Sequence, residues 1–164
     1  KQNNICISYD PNYRASLWLS EDEAVQWMKK PLSMVDILKI SDEELPLLTG
    51  TTNLEEGSRI LSEYGISLIL ITMSSEGAYY RYGDKTGKVA GVKTTVVDTN
   101  GAGDTFFGAL LCGLAQESDW RTCSIEVLES HIALANRAAS FTCSGSGAIP
   151  SMPTKAQLTE KENK

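Results

Sequence analysis

The run at residues 67–73, SLILITM, constrains the fold of this chain more than any other stretch. It contains no charged side chain and no alternation of apolar and polar residues. A strand with that pattern is buried on both faces, as in a sheet covered by helices on both sides. The run therefore predicts a layered α/β fold.

The segments before this run alternate between strand and helix patterns. Ser20 and Glu23 have the spacing of a capping box, and Gly50 and Gly65 stand where helices would end. Crossovers of this length join parallel strands and pack helices on the faces of the sheet. We predict strands at 4–10, 35–40 and 67–73, and helices at 20–30, 41–50 and 53–65.

The second half of the chain has a different order of elements. Residues 77–92 have an aromatic half and a valine-containing half around GDKTG, which predicts an antiparallel hairpin. Residues 94–99 are β-rich and predict a strand or an approach segment. Two helices are expected at 104–116 and 125–143. The last fifteen residues are polar, with Pro150 and Pro153 near their start, and predict a loop and a tail.

Charge and cysteine spacing exclude several classes of function. The net charge is −6 and the isoelectric point is about 4.8, so nucleic acid is not expected as a partner. No apolar run approaches the roughly 18 residues that span a bilayer, and nothing resembles a signal peptide. We therefore expect no membrane partner and a cytoplasmic location. Cys6 and Cys112 lie in apolar runs and are expected in the core, and the cysteine spacing argues against zinc.

A glycine-rich turn, NGAG, runs directly into an apolar helix. Gly101 and Gly103 allow the backbone to approach an oxyanion closely, and the helix N-terminus offers unpaired N–H groups to it. Asp104 then stands at the start of the helix, where its carboxylate could hold a hydroxyl group beside a phosphate. That arrangement suits phosphoryl transfer. The alternative is an ordinary helix start with an acidic first turn.

Residues 98–109, DTNGAGDTFFGA, resemble the D-T-x-G-A-G-D signature of the ribokinase-like carbohydrate kinases. Other segments resemble that family in the same order: SYDPNYR resembles the fructokinase branch, and LKISDEEL resembles a K-x-N-x-x-E motif. ITMSSEGAYY resembles T-x-G-x-x-G-A, and residues 135–153 resemble a nucleotide-side helix with a G-A-x-P exit. The resemblance implies a Rossmann-like three-layer sandwich, here only its C-terminal half, with a mostly parallel sheet and an antiparallel hairpin.

The resemblance also assigns catalytic roles. Asp104 matches the base that accepts the proton of a sugar hydroxyl as it attacks the γ-phosphoryl group of ATP. Gly101, Ala102 and Gly103 match the anion hole. Arg14 matches an arginine directed toward the transferred phosphoryl or the sugar, with an ordinary surface arginine as the alternative.

Metal-binding roles are implied for three further residues. Glu44 matches a glutamate that orders magnesium through water, although Ser41 replaces the family's asparagine and could form a purely structural capping box with Glu44. Asp98 and Asn100 match positions that bind a monovalent cation in many relatives, so potassium is expected as an activator.

The nucleotide side is implied at six positions. Ser74 replaces a family glycine, and Asn136, which matches a position beside adenine, could instead be a polar residue on an exposed helix face. His131 is expected to be structural or on the surface. The implied nucleotide-binding residues are Thr72, Ser74, Gly77, Asn136, Gly147 and Ala148.

The resemblance covers only the second half of that family's length. We expect residues 1–153 to form the nucleotide-binding half of an ATP-dependent fructokinase, with 154–164 as a polar tail and with the N-terminal half, and a homodimer, as partners. Isolated, this half is expected to be inactive. The alternatives are a kinase for ribose, a keto-deoxy sugar acid or a nucleoside, a non-catalytic nucleotide-binding fragment, and a structural piece of a split assembly.

Overall fold

The structure is a computed structural model that describes residues 5–159. The chain divides into two compact units. Within the described residues, the first comprises 5–73 and 79–88, and the second comprises 74–78 and 89–159.

A five-stranded sheet runs in the order of the sequence, β1-β2-β3-β4-β5. The first three strands are parallel, with Ile37 opposite both Ser8 and Leu68. β4 and β5 are joined by only two residues, a connection that antiparallel neighbours use. The α/β class, the parallel strands and the hairpin are as the sequence predicts. The strands are β1 (Ser8–Tyr9), β2 (Ile37–Ser41), β3 (Leu68–Thr72), β4 (Gly77–Tyr82) and β5 (Lys85–Ala90).

The helices of the first unit begin and end at local signals. The Ser20 side chain accepts a hydrogen bond from the N–H of Glu23, and the Asn53 side chain accepts one from the N–H of Glu56. Gly50 closes the middle helix with a φ of +78°, a conformation that costs glycine little. The helices are α1 (Glu21–Lys29), α2 (Glu44–Thr49) and α3 (Leu54–Ser62).

The core of the first unit forms where these helices meet the sheet. Leu38 and Ile69, from adjacent parallel strands, are completely buried against Ala24 and Leu45. Each fully buried side chain of leucine or isoleucine size contributes about 1.5–3 kcal/mol. Gly57 lets α3 approach closely, because a Cβ atom there would lie 2.6 Å from Cδ1 of Leu45.

Two long helices, α4 (Ala102–Leu114) and α5 (Ile125–Cys143), form the body of the second unit. The buried hydroxyl of Thr142 donates to Oγ1 of Thr105 at 3.0 Å. His131 packs against Gly113, where a Cβ atom would lie 2.5 Å from its Nδ1, and its Nε2 lies 2.8 Å from Oε1 of Glu117. These contacts agree with the expectation that His131 is structural or on the surface.

Residues 94–99 form no strand within the described part of the chain. The N–H groups of Val97 and Asp98 both donate to the carbonyl of Cys143, at 2.8 and 3.3 Å. The segment is therefore an approach to α4, held by the end of α5. The alternative prediction of a strand is wrong because its backbone is bound to a helix end.

The C-terminal segment is more ordered than the predicted loop. α6 (Ala148–Ser151) and α7 (Lys155–Thr159) lie in it. Thr154 and Gln157 form a capping box, with hydrogen bonds of 2.8 Å from the Thr154 N–H to Oε1 and 3.4 Å from the Gln157 N–H to Oγ1. Leu158 is buried, and its carbonyl accepts a hydrogen bond from Arg137. Residues 160–164 of the predicted tail lie outside the described residues.

The core positions predicted for Cys6 and Cys112 are wrong, since both residues are exposed. The strand predicted at 4–10 is reduced to Ser8–Tyr9, so Cys6 lies ahead of it, and Asn4 lies outside the described residues. In α4 the buried residues occupy one face, and Cys112 lies on the other with Asp104 and Gly108. Among the described helices, none is both long and apolar enough to cross a bilayer.

Candidate functional site

The predicted site residues fall into two groups, one in each compact unit. In the second unit, Gly101 precedes α4 with a φ of +78°. The N–H groups of Gly103 and Asp104 have no carbonyl partner inside the helix, because the residues four positions earlier lie outside it. Within the described residues, no side chain caps this N-terminus. The helix start therefore presents N–H donors, which attract anions.

The Asp98 carboxylate joins the turn before α4 to the turn before α6. One oxygen accepts a hydrogen bond from the N–H of Asn100 at 2.9 Å, and the other accepts one from the N–H of Gly147 at 2.9 Å. These bonds, the one from Asn100 first, lower the pKa of Asp98. The same turns meet again at Gly101, where a Cβ atom would lie 2.7 Å from that of Ala148.

Asp104 lies in the first turn of α4, with its side chain exposed. The helix dipole places a partial positive charge at this end of α4. An exposed carboxylate next to backbone donors can accept a proton from a hydroxyl group while the donors face an anion. The structure thus places Asp104, Gly101, Ala102 and Gly103 in one helix start.

Asn136 is buried, at 6% exposure, and is not on an exposed helix face. Its amide nitrogen donates to the carbonyls of Val89 and Ala90, each at 3.1 Å. The two donors of the side chain are therefore used to hold the end of β5 against α5. The alternative of a solvated polar residue is wrong, and the place beside adenine stays a prediction.

Ser74 and Gly77 lie in the second unit, just after β3, where the backbone turns. Ser74 has a φ of +50°, in the left-handed region that favours glycine. Gly77 has a φ of +100°, and a Cβ atom there would collide with the carbonyl of Val89. The backbone therefore has a glycine-like conformation at Ser74 even though the sequence has serine there.

Thr72 belongs to the first unit and ends β3. Its hydroxyl donates to the carbonyl of Ile40 at 3.3 Å, and its own carbonyl accepts from the N–H of Asp42 at 3.0 Å. These bonds fix the carboxyl ends of β2 and β3 together. Ligands of open parallel sheets bind outside such ends.

Glu44 is the centre of the group in the first unit. Its Oε1 accepts from the N–H of Tyr13 at 2.7 Å, and its Oε2 accepts from the N–H of Ser41 at 2.7 Å. Oγ of Ser41 accepts in turn from the N–H of Glu44 at 3.1 Å, so the predicted capping box is confirmed. Glu44 as a whole residue is 6% exposed.

An ion pair that the sequence analysis missed lies in the same unit. Nζ of Lys39 is 2.9 Å from Oδ2 of Asp10, and both side chains are nearly buried. Burial raises the pKa of Asp10, and its attraction to Lys39 only partly offsets that effect. Asp10 lies in the DPNYR motif and Lys39 lies in the LKISDEEL motif, so these two motifs were the sequence features that could have indicated the ion pair.

A magnesium role for Glu44 is restricted by these contacts. Each carboxylate oxygen already accepts one backbone N–H and retains capacity for a hydrogen bond from a water. Residues 5–159 contain no group of three or more histidine, cysteine or acidic side chains that could hold a metal ion. Magnesium needs only one or two carboxylates when substrate phosphates bind it, so the residues present fit a water-mediated contact.

The model of one protein family, described as "pfkB family carbohydrate kinase", matches residues 1–155 of this chain. Fructokinase from Vibrio alginolyticus is 32% identical over 152 residues, which is 93% of this chain and 49% of that protein. Fructokinase-1 from Zea mays is 36% identical over 161 residues, 98% of this chain and 50% of that protein. The chain spans about half the length of the relatives it matches.

Solved structures of related kinases have the same fold. A double mutant of Vibrio cholerae fructokinase, with fructose, ADP and potassium ion bound, has a TM-score of 0.87 and 30% identity, covering 94% of this chain and 49% of that one. Aminoimidazole riboside kinase from Salmonella enterica, complexed with its riboside and an ATP analogue, has a TM-score of 0.83 and 25% identity. It covers 97% of this chain and 52% of that one.

Proposed function

Because the chain belongs to the pfkB family of carbohydrate kinases, we propose that it is the nucleotide-side, C-terminal half of an ATP-dependent sugar kinase. The proposed sugar is fructose, since the relatives described above include fructokinases from a bacterium and a plant. The proposed partner is the N-terminal half of such a kinase, since this chain spans about half the length of those relatives. A homodimer stays a prediction.

The observation that carries this proposal is the start of α4. Its N–H donors, the left-handed Gly101 and the exposed Asp104 lie together in one turn. Phosphoryl transfer requires donors facing the charge on the phosphoryl oxygens and a group that takes the proton of the attacking hydroxyl. Following the resemblance, we assign the anion hole to residues 101–103, of which Gly103 has an N–H without a carbonyl partner in the helix, and the proton acceptor to Asp104.

The other roles rest on the resemblance with support from the geometry. Asp98 holds the two turns that would surround the nucleotide phosphates, and Gly147 and Ala148 would close that loop. Arg14 would contact the transferred phosphoryl or the sugar, and Thr72, Ser74, Gly77 and Asn136 would lie on the nucleotide side. When bound, ATP supplies the γ-phosphoryl group, magnesium neutralises its charge, and potassium would be held near Asp98 and Asn100.

Two alternatives are kept. Another substrate is favoured by the likeness to a riboside kinase, whose structure holds a ribose-containing molecule instead of fructose. A non-catalytic nucleotide-binding module is favoured by the chain's length, since it spans about half of its relatives. Both would retain the anion-binding start of α4.

The test has two steps. Calorimetry of the folded chain with ATP and ADP up to millimolar concentrations should show binding, and no binding would contradict the proposal.

A product assay by mass spectrometry should then detect fructose phosphate from a complete kinase. The complete kinase is this chain joined after the N-terminal half of one of its relatives. The chain alone should make none, because positioning of two reactants contributes about 7–11 kcal/mol and we propose that the sugar-binding half lies outside these residues. Phosphorylation of ribose, a keto-deoxy sugar acid or a nucleoside in place of fructose would decide for that substrate.

A further inference from the structure

We infer that Glu44 is a positioning residue: together with the Asp10–Lys39 ion pair, it fixes the loop at residues 10–14 and thereby the place of Arg14. This inference deepens the proposed function and rests on it. It concerns residues of the first unit only.

The Glu44 carboxylate binds two segments that are far apart in the sequence. Tyr13 lies 31 residues before Glu44, and Ser41 lies three residues before it. One carboxylate thus binds the end of β2 and the loop after β1 through two short hydrogen bonds. Charge-assisted bonds of this kind are about twice as strong as neutral ones.

The loop at residues 10–14 is also anchored at its other end, by Asp10. Oδ2 of Asp10 binds Nζ of Lys39, while Oδ1 of Asp10 accepts from the N–H of Asn12 at 3.1 Å. Asn12 has a φ of +49°, so the loop turns sharply just before Tyr13. The loop is held by side chains at Asp10 and at Tyr13, with a strained residue between them.

Arg14 is bound to the same residue of the loop that Glu44 holds, Tyr13. Its side chain is exposed, and its guanidinium donates to the carbonyl of Tyr13 at 2.8 Å. The residue whose N–H is held by Glu44 is therefore the residue whose carbonyl holds Arg14. A change at Glu44 would reach Arg14 through a single peptide unit.

This arrangement has a cost in stability. The carboxylates of Asp10 and Glu44 and the ammonium group of Lys39 are all nearly buried, and the charge of Glu44 further raises the pKa of Asp10. Apolar residues of similar volume often give equal or greater stability than such buried ions. The ions lie at the carboxyl ends of parallel strands, where ligands bind in open α/β sheets. Orientation of the loop, not stability, is the contribution that fits this place.

The test uses Glu44→Gln and Glu44→Asp, with Glu43→Gln as the matched control. Gln cannot accept at one of its two positions, and Asp keeps the charge but is one methylene too short to span both N–H groups. Glu43 is the exposed neighbour, so its change removes the same charge without a buried contact. Amide hydrogen exchange of Tyr13 in this chain should accelerate about tenfold or more in either Glu44 variant and not in the control.

A double-mutant cycle with Arg14→Gln in the complete kinase tests the connection to the site. If Glu44 acts through Arg14, the double variant Glu44→Gln/Arg14→Gln should have the kcat of Arg14→Gln alone. Additive losses in the cycle would overturn the inference. So would a shifted magnesium dependence together with unchanged Tyr13 exchange, which would assign Glu44 to the metal. An inactive wild-type kinase would overturn the proposed function, while normal Tyr13 exchange in Glu44→Gln would overturn the anchoring.

Discussion

The Asp98 carboxylate of the turn before α4 accepts the N–H of Gly147, in the turn before α6, at 2.9 Å. The two residues are separated by 49 positions in the sequence. The contact links the donors at the start of α4 to a second glycine turn, so the geometry of one turn depends on the other.

Asp98→Asn should loosen this link, because the amide group has an acceptor oxygen on one side only. Amide exchange at Gly147 should accelerate, and the phosphate-binding turn should lose affinity for ADP. Asp42→Asn, an exposed acidic residue in the first unit, is the control and should leave both unchanged. Equal exchange at Gly147 in both variants would remove Asp98 from this role.

The pH dependence of the link follows from the lowered pKa of Asp98. Hydrogen bonds that favour the ionised form hold this pKa below its ordinary value of 3.8. The stability that the ionised Asp98 contributes is therefore complete above pH 3.8 and is lost as the pH falls through the lower, folded-state pKa. An NMR titration of the carboxylate should have its midpoint below that of an unstructured peptide, and a midpoint at or above the peptide value would contradict the assignment.

Ser74→Gly should stabilise the chain by about 0.5–1 kcal/mol. A left-handed backbone costs a non-glycine residue roughly 1–2 kcal/mol, and the extra freedom of glycine in the unfolded chain removes part of the gain. Ser75→Gly is the matched control, since positive φ values among the described non-glycine residues occur only at Asn12 and Ser74. Urea unfolding should show stabilisation for Ser74→Gly and none for Ser75→Gly.

Lys39→Met should destabilise the chain by about 3–5 kcal/mol, since it leaves the buried Asp10 carboxylate without its partner. The double variant Asp10→Asn/Lys39→Met should recover much of that loss. Lys88→Met, on the exposed side of β5, should change stability by less than about 0.5 kcal/mol. Denaturant unfolding curves measure all three variants, and equal effects of the two lysine changes would refute a buried pair.

The loss in Lys39→Met should also depend on pH in a defined direction. Burial raises the folded-state pKa of Asp10, and removal of Lys39 raises it further. The folded state then binds the proton more tightly than the unfolded state, so the stability of the variant should fall as the pH rises above 3.8 through the raised pKa. A loss that grows on acidification instead would show the opposite sign.

Asp104→Asn in the complete kinase should lower kcat by about 10²–10⁴-fold, because an amide cannot accept the hydroxyl proton in the transition state. Nucleotide affinity should change little. Cys112→Ser, on the same exposed face of α4, is the control and should keep normal turnover. Turnover of Asp104→Asn near the wild-type rate would exclude Asp104 as the base.

Local signals predicted the helices of this chain well, whereas contacts distant in sequence were not predictable. Ser20 and Asn53 cap their helices through bonds to residues three positions later, which a sequence displays directly. Residues 94–99 have strand-forming side chains, but their N–H groups bind the carbonyl of Cys143 at the end of α5. No local pattern carries that information.

The same division holds in the candidate site. Spacing alone predicted the capping box of Ser41 and Glu44, because its members are three residues apart. The other hydrogen bond of Glu44, which it accepts from the N–H of Tyr13, joins the loop after β1 to the start of α2, and β1 and β2 become neighbours only in the sheet. The sequence allows Asn136 to be a polar residue on an exposed helix face. It is buried because its amide nitrogen donates to the carbonyls of Val89 and Ala90, at the end of the hairpin.

The exposed face of α4 gives this chain a ready attachment point for an optical reporter. Cys112 lies eight residues after Asp104 on that face, about 12 Å along the helix at 1.5 Å per residue. A fluorophore on this thiol, with Cys6 changed to serine because it is the other exposed cysteine among residues 5–159, would sense charge arriving at the helix start. Binding at the turn could then be followed in real time without a turnover assay.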